Sequence, residues 1–445
     1  MTKAVILNNV SSIGEKAFGY NADGVLPEFV IYGYYNSIAE DYANTNEIPF
    51  ELFGERDYSE LCVGYYIDGE GVVITDGDPE AEELVIPDTI EGLPVVKIQA
   101  YAFKNAAMKS VTIPSTVTVI EKGAFTGCAN LESVVIPEGV TAIPESCFDG
   151  CASLASVTVP DGAASVGSRA FYGCAKLESF TVPSALNSLG SYAFYGCETL
   201  DGIDFTSITS AIDIPEYAFY GCKSMSQAVF NSYICSIGKY AFYGCESIEE
   251  ITHSSDYYYS INAYAFAGCK SLKKFERATT NCTLYIYEYA FLDCPLLTDV
   301  TLENVGFYGS NTGRHFGYNT SVDEEGNTVY TLTEGMTMRG WISSSTQTYA
   351  VNNGIVYVPT GGVEYEETED SVTITKWMNN SWSITIPAQI NGKPVTVIGK
   401  NAFRGLNALE DVYFPSTLKE IQSYAFMNSS ARDMTIPASV EKIGN

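Results

Sequence analysis

Histidine is almost missing: the 445 residues contain two, His253 and His315. Neither sits in an H-E-x-x-H pair, and no Walker, G-x-G-x-x-G or G-x-S-x-G string occurs, so histidine-zinc, triad and nucleotide chemistry lack their residues. Basic side chains are scarce as well. The 24 Lys+Arg face 54 Asp+Glu, for a net charge of −30. Such a chain is unsuited to nucleic-acid phosphates and to anionic lipid; its charge serves solubility. No stretch approaches the ~18 consecutive apolar residues of a membrane span. The opening MTKAVILNNVSSIGEKAF lacks the basic-then-apolar order of a signal peptide. The acidic runs Ile74–Glu83 and Ser321–Asn327 lack a calcium-loop pattern and read as solvated turns. The expectation is a chain without catalytic residues, metal or cofactor.

What is abundant is repetition. An aromatic recurs at Phe103, Phe125, Phe148, Phe171, Phe194, Phe219, Phe242, Phe266 and Phe291, then at Phe403 and Phe426, at steps of 22 to 25 within each run. Ala precedes every one except Phe148, which follows Cys147. A fixed period of this size marks a solenoid. Half of each unit alternates like a strand and closes on proline, as in Leu131, Val134, Ile136, Pro137. The other half places Val117, Ile120, Ala124 and Phe125 at spacings that suit a short helical or turn segment. One unit cannot bury both halves alone, but stacked neighbours can.

Units such as LESVVIPEGVTAIPESCFDGC (Leu131 to Cys151) and LESFTVPSALNSLGSYAFYGC (Leu177 to Cys197) resemble the BspA-like, Treponema-type leucine-rich repeat of bacterial surface proteins. The resemblance covers about 300 residues. It implies an α/β repeat solenoid: a right-handed stack of coils with a ~23-residue period and short parallel strands on one face. It also implies a secreted or cell-surface protein-binding or adhesion module.

A longer repetition interrupts the array. ELVIPDTIEGLPVVKIQAYAF (Glu83 to Phe103) aligns without a gap to SITIPAQINGKPVTVIGKNAF (Ser383 to Phe403) at an offset of 300, and each follows an alternating run. These read as leading caps that cover an open coil. Ile31 to Phe50 matches Met338 to Tyr357 at an offset of 307; these read as closing caps, with a short helix for which Ser37 is an N-cap candidate. Four parts follow: 1–54, array end and closing cap; 61–303, leading cap and main array; 304–358, closing cap; 359–445, leading cap and array start. The sequence opens and stops inside repeats, so it is expected to be a piece of a longer multi-array protein, with signal and anchor outside it.

Eight cysteines fall three residues after the repeat Phe, from Cys128 to Cys294. Stacking places them one rung (~4.8 Å) apart. They lack paired C-x-x-C spacing for a metal. Ala106 and Leu406 fill the same position, so the column reads as buried small hydrophobes rather than disulfides. Tyrosines form two further columns, one just before Ala-Phe and one just after the Phe. They read as ladders that partly cover the core; the alternative is a carbohydrate-stacking or protein-binding stripe.

Binding candidates come from two places. The outward strand residues include Glu178, Thr181, Asp201, Asp204, Glu249 and Glu250, an acidic and threonine-rich face. The most irregular unit contributes Asp256, Tyr257, Tyr258 and Tyr259. The expected partner is a protein (host matrix or another cell-surface protein) or a glycan, with no nucleic acid or membrane insertion, and the chain is expected to be a monomer. The alternative function is a spacer holding other domains off the cell surface.

Overall fold

The structure is a computed structural model that describes residues 3–6, 12–21, 24–26, 28–33, 38–52, 62–253, 259–277, 284–302, 305–307, 313–341, 344–378 and 383–444. The chain divides into two compact units. Unit 1 is Met1–Ile248 with Ala265–Lys270; unit 2 is Glu249–Tyr264 with Ser271–Asn445.

Unit 1 shows how one coil is built. Strand Ser133–Val135 lies parallel between Ser110–Thr112 and Ser156–Thr158, with Ser133 opposite Ser156. The chain turns at the proline and forms a second strand, Ala142–Ile143, parallel to Ser165–Val166. The third side carries the phenylalanine. It is neither strand nor helix, yet it too is bonded coil to coil: Phe148 N–H donates to Ala170 O at 2.8 Å, and Gly150 N–H donates to Tyr172 O at 2.7 Å. Strands therefore occupy two sides of the coil, one more than expected. Among the described residues, helix is confined to α1 (Ile38–Thr45) and α2 (Ser345–Asn352), both in closing caps.

The backbone of the Phe side explains the missing helix. Tyr192 (φ 61°) and Gly196 (φ 72°) flank Phe194. Two left-handed residues four apart cannot sit in a right-handed helix. The same pair recurs as Tyr217 with Gly221 and Tyr240 with Gly244. The αL residue before Ala-Phe is usually tyrosine, which pays a backbone cost of about 1–2 kcal/mol that glycine would not. Gly123 and Asn401, both residue types at home in αL, stand at that position in other coils and were the sequence signal for it.

The interior is a column of rings. Phe103, Phe125, Phe148, Phe171, Phe194, Phe219, Phe242 and Phe266 stack in unit 1 with centroids 5.0 to 5.4 Å apart. All are buried. Offset stacking is the favoured arrangement for such rings. One coil departs from the pattern. Phe180 stands where Val134 stands in its coil, and its ring sits edge-on to Phe171 and Phe194 at 5.5 and 4.7 Å. Residues 177–183 carry no strand, although Phe275 at the equivalent position lies within strand Lys274–Arg277. In unit 2, strands Glu250–His253, Lys274–Arg277, Asp299–Leu302, Thr337–Trp341 and Val356–Gly361 run parallel in register.

Both leading caps are β-hairpins whose second strand joins the first coil. Val63–Asp68 pairs antiparallel with Gly71–Gly77, which lies parallel to Leu93–Ile98. Val363–Glu367, Val372–Trp377 and Lys393–Ile398 repeat this, with bulges at matching positions. The two differ where they meet the core ring. Trp377 stacks on Phe403 at 5.1 Å, whereas its counterpart is Gly77, where a Cβ would come within 2.9 Å of the Phe103 ring.

The closing caps agree side chain by side chain. Tyr42 Oη accepts from Phe18 N–H at 2.9 Å and donates to Phe18 O at 3.0 Å. Tyr349 Oη accepts from the N–H groups of His315 and Phe316, each at 3.1 Å, and donates to Phe316 O. Tyr20 Oη donates to Asn46 Oδ1, and Tyr318 Oη to Asn353 Oδ1, both at 2.9 Å. Ser344, the counterpart of Ser37, caps α2 by accepting from Gln347 N–H; Ser37 itself lies outside the described residues. His315 is buried against Tyr349, a structural position as expected.

Two stability predictions follow from this geometry. A Cβ at Gly190 would lie 2.2 Å from Ser168 N, while one at Gly162 meets nothing within 4 Å. Gly190→Ala should therefore cost about 2–3 kcal/mol and Gly162→Ala less than about 0.5 kcal/mol, read from urea midpoints. Tyr349→Phe strips backbone groups of a buried partner and should cost about 1–3 kcal/mol in the same assay.

Candidate functional site

A strand turns alternate side chains to opposite faces. Leu131, Val134 and Ile136 enter the core of unit 1, while Glu132, Ser133 and Val135 are exposed. Parallel pairing then lines up outward residues from coil to coil. Val85 is aligned with Thr112, and Val135 with Thr158. Val85 and Val135 are 63% and 64% exposed, unusually open for valine on a sheet. Glu178, Thr181, Asp201 and Asp204 continue this face and are all exposed. Among the described residues, no Lys or Arg pairs with Glu178, Asp201 or Asp204. Asp204 Oδ1 accepts from Thr206 N–H at 2.8 Å, which fixes its rotamer. The unit 1 face is thus β-branched in one column and acidic beside it.

Unit 2 treats its acids differently. Glu249 is bound to Lys273 at 2.8 Å. Glu250 lies in register with Lys274 and then Asp299. Arg339 holds Asp299 at 2.6 Å. The acidic character expected at Glu249 and Glu250 is therefore offset by cations on adjacent strands. Of the irregular-unit candidates, Asp256, Tyr257 and Tyr258 lie outside the described residues; Tyr259 opens a strand, Tyr259–Ile261, paired with Leu284–Ile286, and its side chain is likewise not described. Between these two regions sits Arg277, wholly buried in register with Leu302. The string KFER, which breaks the apolar rule at its last residue, was the signal for it.

The cysteine column is inert but not passive. From Cys128 to Cys245 each thiol donates to a Phe carbonyl of an earlier coil: Cys128 to Phe103 at 2.9 Å, Cys151 to Phe125 at 3.1 Å, and Cys174, Cys197, Cys222 and Cys245 onward at 3.2 Å; Cys294 donates to Leu292 O in its own coil. These cysteines are buried and free. Burial holds the thiols of Cys174 and Cys222 well above their ordinary pKa, and that of Cys147 likewise. The reading as packing cysteines stands; the bond to the preceding coil was invisible in one dimension. Among the described residues, no group of three or more His, Cys, Asp or Glu could hold a metal.

The tyrosines form two rows in unit 1. Tyr172, Tyr195, Tyr220 and Tyr243 stack at 4.7 to 4.9 Å. Tyr192, Tyr217 and Tyr240 stack beside them at 4.7 and 5.0 Å. The rows are 5.6 to 5.9 Å apart. Arg169 lies 3.8 Å over Tyr172 and is bound to Asp149. A cleft of about 940 Å³, lined in part by Asp41, Tyr42, Asn46, Tyr101 and Lys122, lies elsewhere in the same unit. Lys104 and Asp41 close on each other across it at 2.6 Å. Their separation of 63 positions left no sequence signal.

These features fit one repeat family. The BspA type Leucine rich repeat region matches residues 96–213, 212–312 and 376–445. The chain belongs to this family. Solved structures similar in fold to this BspA-type chain include three bacterial proteins. The Treponema pallidum leucine-rich repeat protein is 21% identical, covering 54% of this chain and 91% of its own, with a TM-score of 0.32. A leucine-rich repeat protein from Bacteroides ovatus is 19% identical over 88% and 100%, with a TM-score of 0.39. The pneumococcal vaccine antigen PcpA is 15% identical over 68% and 98%, with a TM-score of 0.33. No curated protein matches the chain. Among the described residues, no helix of this BspA-type protein is long and apolar enough to cross a membrane.

Thiol burial makes a direct prediction. In the native protein, iodoacetamide should modify Cys62, which is exposed, and leave Cys151, Cys174, Cys197 and Cys222 unmodified until urea unfolds the coils, as mapped by peptide mass spectrometry.

Proposed function

We propose that the chain is a non-enzymatic protein-binding module of a bacterial surface or secreted protein, acting in adhesion. The observation that carries this is the outer strand face of unit 1. It presents open valines and threonines at one-rung spacing, and the carboxylates of Glu178, Asp201 and Asp204 beside them have no cation partner among the described residues. Binding faces join apolar area to unpaired charge in this way. A rigid sheet holds these groups in place before contact, which limits the ordering cost of association. The partner is a protein of the host matrix or of another cell surface; a glycan is the alternative occupant of the same face. The module is proposed to act as a monomer.

A spacer role is the second reading, favoured by the recurrence of whole caps at offsets of 300 and 307. We divide the chain on those caps into 1–54, 61–303, 304–358 and 359–445.

Surface plasmon resonance of the full chain against purified matrix proteins separates the two. A binding module should saturate with one of them. Replacing Glu178, Asp201 and Asp204 together by Lys should weaken that binding about tenfold or more and reduce its dependence on salt, with the circular dichroism spectrum unchanged. A spacer would show no saturable partner, and the triple variant would behave as the parent.

A further inference from the structure

The two tyrosine rows lie beside the buried phenylalanine column and are themselves only half-buried. Their construction is that of a prepared surface. Each ring is half-buried and held by neighbours in its row. Tyr192, Tyr217 and Tyr240 are further fixed by left-handed backbone. Centroid steps of 4.7 to 5.0 Å exceed the thickness of an aromatic ring, so the rings overlap like shingles and each shows a strip of its face.

The hydroxyls are available. Among the described residues, those of Tyr195, Tyr217 and Tyr220 have no hydrogen-bond partner, so these half-buried rings turn them to water. Burial, then neighbouring phenols, raise their pKa, so they remain donors well into alkaline conditions. Beside the row run Gly173, Gly196, Gly221 and Gly244. Built Cβ atoms there would meet at most the Cα of the preceding coil's glycine, so the glycine strip is open; Arg169 covers Tyr172 at one end of the rows and Lys239 lies over Tyr240.

The spacing selects a ligand. Steps of 4.7 and 4.9 Å carry Tyr195 through Tyr220 to Tyr243, which matches one turn of polyproline II, about 9.3 Å. A polyproline II chain has no internal hydrogen bonds, so its carbonyls are free to accept from the hydroxyls. Its prolines pack on aromatic strips, the mode by which aromatic grooves read such segments. An extended strand repeats its side chains every second residue, about 6.6 Å, which matches neither one step of the row nor two. Charge sets the rest: the chain carries −30 and exposed Glu216 adjoins Tyr217, while Arg169 over Tyr172 is neutralised by Asp149 and Lys239 stands beside Tyr240. We propose that the double tyrosine row of unit 1 is a docking surface for a basic, proline-rich segment in the polyproline II conformation, lying along the stack.

This surface is distinct from the strand face, so its test stands apart from that reading. Isothermal titration of the full chain should show saturable binding of the peptide Pro-Pro-Lys-Pro-Pro-Lys-Pro-Pro-Lys. The equally charged Gly-Ser-Lys-Gly-Ser-Lys-Gly-Ser-Lys should bind about tenfold or more weakly. Tyr195→Phe with Tyr220→Phe keeps the stack and removes two donors; it should also weaken the proline peptide about tenfold, with an unchanged urea midpoint. Equal affinity for both peptides would mean that charge alone acts, and would overturn the proposal. So would unchanged affinity in the double variant, or no saturation at all.

Discussion

Everything in this fold depends on one spacing, the advance of a single hydrogen-bonded coil. On the strand sides it is the ordinary distance between paired strands. On the third side the N–H of a repeat Phe reaches the carbonyl of the residue before the next coil's Phe, usually Ala, and enforces the same advance without a strand. That advance is also close to the distance at which offset aromatic rings stack. The backbone ladder, the phenylalanine column, the thiol-to-carbonyl bonds and the tyrosine rows are consequences of this single match. A residue that fits once fits in every coil, which is why the sequence repeats AFYGC nearly unaltered.

The period, the buried Phe and the strand within Leu131 to Ile136 could be read from the sequence, because each depends on residue type at fixed spacing. What could not be read depends on conformation or on contacts across coils. The Ala-Phe half has apolar spacing that suits a short helix or a turn, and tyrosines in left-handed geometry decide for the turn; only Gly123 and Asn401 hinted at it. The cysteines were legible as packing residues, while their bonds to Phe carbonyls required a neighbour to be in place.

The candidate surfaces show the same divide. Which strand residues point outward follows from alternation, and Glu178, Thr181, Asp201 and Asp204 lie where that rule puts them. Whether an outward acid is available to a partner does not follow from alternation. Glu249 is occupied by Lys273 from the next coil, and only pairing in space reveals it. The electrostatic character of a solenoid face is a property of adjacent coils rather than of any one repeat.

The closing cap carries a consequence for how such proteins change length. Its tyrosine hydroxyl, on Tyr42 in one copy and Tyr349 in the other, bonds main-chain atoms, and the ring packs on the recurring Phe18 or Phe316. A lid held by main chain and one recurring aromatic asks little of the other side chains that precede it. Whole turns of the spiral can then be gained or lost upstream by unequal recombination, and the same terminator still fits.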